Sequence, residues 1–212
     1  MVLSGQFLER ATLIPSGGAV LEGLSHRGEL KPALLICPPH PRRGSSMDSP
    51  VCAELAFAAS QRGHATLRFN YRGAGASQGP LNDELRACAD DAAAALEGLA
   101  QNVGHREIAV AGYDFGAQVA VELGVRLGNL VAVALIAPST GEHDFSALAT
   151  LEARGLVVVG QDDAGCDRVA LAQLCQSVGD QLVVIEEADH VFTRGLPALA
   201  KAVTRFIARE QS

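Results

Sequence analysis

Short apolar runs alternate with segments of helical periodicity along most of this chain. The apolar runs predict strands at residues 33–37, 64–71, 107–111, 130–136, 155–160 and 181–186, of which the first three have the pattern of buried strands. The periodic segments predict helices at residues 50–62, 82–100, 115–127, 167–178 and 197–209. Strands that alternate with helices are typical of an α/β protein, with a mostly parallel sheet covered by helices on both faces.

Two regions depart from this alternation. Residues 9–26, ERATLIPSGGAVLEGLSH, form two short strand patterns around a Pro-Ser-Gly-Gly turn, which predicts an N-terminal antiparallel hairpin. The segment between the strands at 130–136 and 155–160 has room for one short helix and not for a lid domain. Because the chain contains no repeat and no low-complexity linker, we expect a single domain over residues 1–212.

Composition and charge limit the kinds of molecule that this protein is expected to bind. The chain is 48% hydrophobic with a formal net charge of -7, which disfavours nucleic acid and anionic membrane surfaces as partners. It shows neither a secretory signal pattern nor a membrane-spanning run, so the expected location is cytoplasmic. We expect a small-molecule substrate, and a homodimer is compatible with the pattern.

Cysteine and histidine show no spacing that is typical of a metal site. The five cysteines are odd in number and include no Cys-x-x-Cys pair, so we interpret them as free thiols. The six histidines are scattered, without the close pairs that zinc sites often have. Nothing in the sequence implies a metal or an organic cofactor.

Polar residues follow four of the predicted strands, where an open α/β sheet binds its ligands. The loop 40–44 begins with His40, Asp114 follows the strand at 107–111, the pair Asp162 and Asp163 follows the strand at 155–160, and His190 follows the last strand. A nucleophile position, then an acid, then a histidine is the chain order of an α/β-hydrolase triad.

The most specific of these positions is Asp114. It lies in the stretch AVAGYDFGAQVA, residues 109–120, which predicts a buried strand, a glycine-flanked turn and a helix of small residues. A nucleophile elbow has the pattern Gly-x-Ser-x-Gly at such a turn. Here the frame is Gly-Tyr-Asp-Phe-Gly, with a carboxylate in place of the serine hydroxyl.

Taken together, these segments resemble the α/β-hydrolase superfamily, in particular its small lidless branch near the dienelactone hydrolases. The resemblance rests on residues 37–79 (CPPHPRRGSSMDSPVCAELAFAASQRGHATLRFNYRGAGASQG) and on AGYDFGAQVA, HDFSAL, VVVGQDDAG and EEADHVFTRGLPAL. These segments cover nearly the whole chain in the order of the family, and the elbow matches in all but its serine.

The resemblance implies a role for each candidate residue. His190 would be the general base and Asp163 the acid that orients it, with Asp162 as the alternative acid. The backbone N–H groups of Phe115 and Arg42 would form the oxyanion hole. Independently of the family, the arginines at 42 and 43 are most simply solvated loop charges, with binding of a substrate carboxylate as the alternative.

An aspartate at the elbow changes the chemistry that is available. Because it is ionised at neutral pH, Asp114 would attack a carbon directly, and His190 would then activate the water that hydrolyses the resulting ester. Related dehalogenases and epoxide hydrolases rely on tryptophan or on lid tyrosines, and this chain has no tryptophan. Tyr113 and His40 are secondary candidates for a role in the site.

Two hypotheses from different classes therefore remain. The first is a hydrolase of a small soluble substrate, ester-like or another carbon electrophile, that acts through Asp114, His190 and Asp163. The alternative is a catalytically silent binding protein derived from a serine esterase. The pairing of His190 with Asp163 favours the first hypothesis, and the missing tryptophan and lid favour the second.

Overall fold

The structure is a computed structural model that describes residues 8–43 and 45–208. The predicted helix end at residue 209 and the predicted domain limits at residues 1 and 212 therefore lie outside the described residues. Within the described ranges, every predicted strand and helix is present, and the predicted N-terminal hairpin is confirmed.

Eight strands and five α-helices make up the described fold. The strands are β1 (Arg10–Ser16), β2 (Ala19–His26), β3 (Leu30–Cys37), β4 (His64–Phe69), β5 (Ile108–Tyr113), β6 (Ala132–Ile136), β7 (Arg154–Gly160) and β8 (Gln181–Ile185). The helices are α1 (Pro50–Gln61), α2 (Leu85–Val103), α3 (Phe115–Leu127), α4 (Arg168–Val178) and α5 (Leu196–Ile207). A 3₁₀ turn at Ser146–Thr150 lies between β6 and β7, where the sequence predicts one short helix and no lid.

Helix α2 begins and ends three residues later than the pattern at 82–100 predicts. The side chain of Asn82 accepts a hydrogen bond from the backbone N–H of Glu84 at 2.9 Å, and this local turn competes with the first turn of a helix. At the other end, Gly104 takes the left-handed conformation (φ 75°) and stops the helix.

The eight strands form one sheet in the order β1-β2-β4-β3-β5-β6-β7-β8. The hairpin β1–β2 and the β2–β4 pair are antiparallel, and β4, β3, β5, β6, β7 and β8 pair in parallel. All residues of β4, β5 and β6 are buried, as expected for central strands with helices on both faces. No helix in the described part of the chain has the length and apolar character to span a bilayer.

The direction of the chain across the sheet changes at β4. The chain moves from β3 to β4 in one direction and from β4 to β5 in the other, and it continues that way to β8. Because crossovers between parallel strands are right-handed, helices on the two sides of this reversal cover opposite faces. Accordingly α1 packs with α5, and α2 packs with α3. The carboxyl ends of β3 and β5 are therefore a topological switch point, where open sheets bind ligands.

A buried carboxylate ties the glycine-rich loop after β4 to the rest of the fold. Asp91 of α2 has no exposed surface, and it accepts hydrogen bonds from the backbone N–H and the guanidinium of Arg72. Its Oδ1 also accepts a 2.8 Å hydrogen bond from Ser16 of β1. One side chain thus joins the hairpin, the loop and α2.

We expect the substitution Asp91→Ala to lower the free energy of unfolding by about 3–5 kcal/mol, because it leaves a partly buried arginine without its carboxylate. Urea denaturation followed by circular dichroism measures this change. Exchange of the exposed Asp90, one residue earlier, for alanine is the matched control and should cost much less. Equal costs for the two variants would contradict the assignment.

Candidate active site

Asp114 is the single residue between the end of β5 and the start of α3. Its backbone has φ 54° and ψ −118°, a conformation that residues other than glycine rarely adopt. The turn directs the side chain beyond the carboxyl end of β5, and Asp114 is 7% exposed. The strained backbone and the burial together hold the carboxylate in one place.

Two glycines allow this turn to be so sharp. A Cβ on Gly112 would lie 2.1 Å from the carbonyl oxygen of Gly116, and a Cβ on Gly116 would lie 2.3 Å from the carbonyl oxygen of Cys37. Any side chain at either position would push α3 away from β5 or β3. Glycine is thus required on both sides of Asp114 for reasons of packing alone.

The loops after β7 and β8 bring an acid and a histidine to the same edge of the sheet. His190 Nδ1 lies 2.9 Å from Asp163 Oδ2, and His190 Nε2 lies 3.6 Å from Asp114 Oδ1. Asp163 is buried, whereas Asp162 is exposed and contacts neither of these two residues. Of the two acids that the sequence left open, the structure therefore pairs Asp163 with the histidine.

Asp163 is held in place by two further donors. The backbone N–H of Gly165 donates to Oδ1 at 2.8 Å, and the Cys166 thiol lies 3.1 Å from Oδ2. Burial raises the pKa of the Cys166 thiol to about 11, so at neutral pH it is a donor and not a thiolate. The sequence analysis did not single out Cys166, because nothing in its spacing links it to the histidine.

Ser139 is a second residue that the sequence analysis missed. It follows β6 after Ala137 and Pro138, it is 7% exposed, and its hydroxyl donates a 2.6 Å hydrogen bond to Asp114 Oδ1. A signal was available, because Ser139 is a polar residue placed just after a buried strand, like the four positions that were considered.

The charges of the three central groups are strongly coupled. Burial acts to raise the pKa of Asp114, but the neighbouring His190, the hydrogen bond from Ser139 and the nearby backbone N–H of Phe115 outweigh it and lower the pKa to about 2. The pKa of His190 rises to about 11, first because of Asp114 and then because of Asp163. Burial also acts to raise the pKa of Asp163, and His190 and Cys166 lower it overall. At neutral pH the site is an imidazolium between two carboxylates.

The two groups proposed for an oxyanion hole have different partners in this structure. The backbone N–H of Phe115 acts on the Asp114 carboxylate itself and helps to lower its pKa. The backbone N–H of Arg42 donates to His40 Nδ1 at 3.2 Å, and the His40 ring packs against Phe115 with a centroid distance of 4.9 Å. The oxyanion role of Phe115 and Arg42 stays a prediction.

The side chains of the two loop arginines pair with carboxylates at the rim. Arg42 Nε lies 2.6 Å from Asp83, and an Arg43 nitrogen lies 2.5 Å from Glu142. A carboxylate ligand would have to displace these partners.

Neither tyrosine hydroxyl faces Asp114. Tyr113 donates to the backbone carbonyl of His190 at 3.3 Å, and its ring lies 5.9 Å from the imidazole. Tyr71 is buried and donates to the carbonyl of Pro38 at 3.2 Å. Tyr113 therefore supports the loop of His190.

Two cavities are lined by residues that neighbour these groups along the chain. One, of about 310 Å³, is lined by Tyr113 and by Val191, the chain neighbours of Asp114 and His190, together with Val51, Phe192 and Leu196. The other, of about 550 Å³, is formed by residues 140–146 after Ser139 and by α4. Among the residues that the structure describes, no group of three or more His, Cys, Asp or Glu side chains is arranged so that it could hold a metal ion.

Comparisons with known proteins agree on the architecture. An uncharacterized protein of Rickettsia prowazekii is 27% identical over 192 residues, which span 85% of this chain and 80% of that protein. A solved structure from Coxiella burnetii, an alpha-beta serine hydrolase homologue, is 26% identical with a TM-score of 0.85 and covers 94% of this chain and 97% of its own. A lidless serine hydrolase of Xanthomonas campestris is 24% identical, with a TM-score of 0.82 over 95% of this chain and 94% of its own.

This chain has the α/β-hydrolase fold. The predicted fold class is confirmed, including the N-terminal antiparallel hairpin and the lidless connection between β6 and β7 in the described residues. A dienelactone hydrolase of Anabaena variabilis shares this fold with a TM-score of 0.76 at 19% identity, over 96% of this chain and 98% of its own. No protein-family model matches the chain.

We expect the pKa of His190 to fall markedly in Asp114→Asn, because the group that raises it most loses its charge. The imidazole proton and nitrogen resonances, followed by NMR from pH 5 to pH 11, measure this change. The exposed Asp162→Asn is the control and should leave the titration unchanged. A His190 pKa near 6.5 in the wild type would contradict the coupling.

The same coupling predicts how stability depends on pH. The raised pKa of His190 contributes stability fully below its ordinary value of 6.5, and the contribution is lost as pH rises towards 11. The lowered pKa of Asp114 contributes fully above its ordinary value of 3.8, and the contribution is lost as pH falls towards 2. The stability of the wild type relative to Asp114→Asn should therefore peak between these two ordinary values and decline on both sides.

Proposed function

We propose that this protein is a hydrolase of small carbon electrophiles that forms a covalent ester on Asp114. The observation that carries the proposal is the chain of contacts from Asp114 to His190 to Asp163, at 3.6 Å and 2.9 Å. The fold supports a hydrolase-like function, since the neighbours with about a quarter identity include a serine hydrolase homologue. A serine hydrolase of this fold attacks with the serine of its nucleophile elbow, and here a carboxylate takes that position.

The charge state of the site suits an aspartate nucleophile. A carboxylate with a pKa of about 2 is ionised at neutral pH and needs no base to attack. His190 is protonated in the resting site and is not yet a base. Formation of the ester removes the negative charge of Asp114, which lowers the pKa of His190 and releases its proton. The neutral imidazole, oriented by Asp163, then takes a proton from the attacking water.

The surroundings favour a limited class of substrate. Both tyrosine hydroxyls donate to backbone carbonyls, so neither is placed to protonate a leaving group. The best substrates are therefore those whose leaving group is stable as an anion, such as alkyl halides and activated esters. The cavity of about 310 Å³ beside Tyr113 and Val191 suits a small, mainly apolar group.

A second candidate, from another class, is a binding protein without catalytic activity. The observation in its favour is that Ser139, Phe115 and His190 all direct donors at the Asp114 carboxylate. The carboxylate then occupies the donors that would stabilise a reacting oxyanion, and it is a weaker nucleophile for each hydrogen bond it accepts.

We expect the variant His190→Gln to accumulate a covalent adduct on Asp114, because the carboxylate still attacks but no base activates water. The adduct is an ester with the alkyl halide or the epoxide and an anhydride with the activated ester. The probes are 1-bromobutane, styrene oxide and 4-nitrophenyl acetate, and the measurement is intact mass followed by peptide mapping. The variant His105→Gln, remote from the site, is the control. An unlabelled Asp114 with a probe that the wild type hydrolyses would exclude the covalent mechanism.

We expect Asp114→Ser to hydrolyse 4-nitrophenyl acetate, because His190 loses the charge that raises its pKa and becomes a base for the new hydroxyl. Asp114→Ala is the control and should be inert. If the wild type is inert with all three probes while the serine variant is active, the second candidate is supported. If the wild type hydrolyses a probe and both variants lose that activity, Asp114 is the nucleophile.

A further inference from the structure

Ser139 has a placement that the fold enforces. It is reached through Ala137, which has a positive φ of 44° that alanine rarely adopts, and the backbone N–H of Ala137 donates to the carbonyl of Val158 at 2.8 Å. The turn brings a buried hydroxyl within 2.6 Å of Asp114 Oδ1. The fold therefore holds a strained backbone at Ala137, close to the hydrogen bond between Ser139 and the Asp114 carboxylate.

The contacts of the two Asp114 oxygens are unequal. Ser139 donates to Oδ1, and His190 Nε2 lies 3.6 Å from the same oxygen. Within the described residues, no side chain donates a hydrogen bond to Oδ2. The carboxylate is thus held in place through Oδ1. We expect it to attack through Oδ2, because an oxygen that accepts fewer hydrogen bonds is the stronger nucleophile.

We propose that Ser139 is a catalytic residue that stabilises the oxyanion formed on Oδ1 when water hydrolyses the Asp114 ester. The inference rests on the proposed function. In the first step, a lone pair of Oδ2 forms a bond to the substrate carbon, and the leaving group departs with the electrons of its bond. Oδ1 becomes the carbonyl oxygen of the ester and keeps its hydrogen bond from Ser139.

The second step places negative charge on the same atom. The oxygen of water adds to Cγ of Asp114, its proton passes to His190 Nε2, and the carbonyl electron pair moves to Oδ1. Ser139 donates to this oxyanion, as it already donates to Oδ1 in the resting site. The Cγ–Oδ2 bond then breaks, and the alcohol oxygen takes the proton back from His190. The new Asp114 carboxyl group, which carries the second proton of the water, gives that proton to the neutral imidazole, and the carboxylate and the imidazolium are restored.

The hydrogen bond from Ser139 slows the first step and accelerates the second step. In the resting site its hydrogen bond stabilises the carboxylate, which slows attack on the substrate. In the second step a neutral ester oxygen becomes an anion, so the hydrogen bond is stronger in the transition state than before it. A purely structural role for Ser139 would instead move both steps in the same direction.

Single-turnover kinetics of Ser139→Ala separate these cases. The probe is whichever of the three compounds labels Asp114 in His190→Gln, and quenched intact-mass spectra follow the adduct with time. We expect the adduct to form at least as fast as in the wild type and to decay about 100-fold more slowly, as for loss of one oxyanion donor. Ser139→Cys, which keeps a weak donor, should decay at an intermediate rate.

Thr140→Val is the matched control, because the Thr140 hydroxyl lies in the same loop and contacts Gly165 and Asp167, not Asp114. Its adduct should decay at the wild-type rate. Wild-type decay in Ser139→Ala, or equal slowing of both steps, would overturn the role of Ser139 while the proposed function stands. If no compound labels His190→Gln, the proposed function itself fails, and the inference fails with it.

Discussion

The close approach of α3 to the carboxyl ends of β3 and β5 is the constraint on which the site depends. Gly112 and Gly116 permit backbone contacts that leave no room for a Cβ, and they bring the N-terminus of α3 against the sheet. Asp114 must then turn within one residue, with a positive φ. Because the helix and the central strands are packed in the core, the strain at this residue is held by the whole fold.

Electrostatics then determines what this rigid turn can do. A serine at the turn would leave His190 paired with Asp163 alone, as a base. An aspartate adds a second carboxylate, so that His190 becomes an imidazolium with a pKa of about 11. The histidine can act as a base only after the charge on Asp114 is removed. Esterification of Asp114 removes that charge, and this links the first step of the proposed reaction to the second.

Much of the fold was predictable, because the alternation of apolar runs and helical segments specifies an α/β sheet and the order of its elements. The boundaries were less accurate where local hydrogen bonds intervene, as at Asn82 before α2. The candidate residues Asp114, Asp163 and His190 were also accessible from the sequence, since each follows a predicted strand. Ser139 and Cys166 were not found, because their importance depends on contacts between separate loops.

The sequence by itself determined the class of fold, the edge of the sheet that carries the polar residues and the presence of a carboxylate at the turn. Periodicity and turn composition are local properties, and they suffice for these conclusions. Only the tertiary structure decided between Asp162 and Asp163, turned the phenol of Tyr113 towards a backbone carbonyl and placed Ser139 against Asp114. Those outcomes depend on the relative positions of four loops. Strand register and helix packing set these positions, and no single segment of the sequence encodes them.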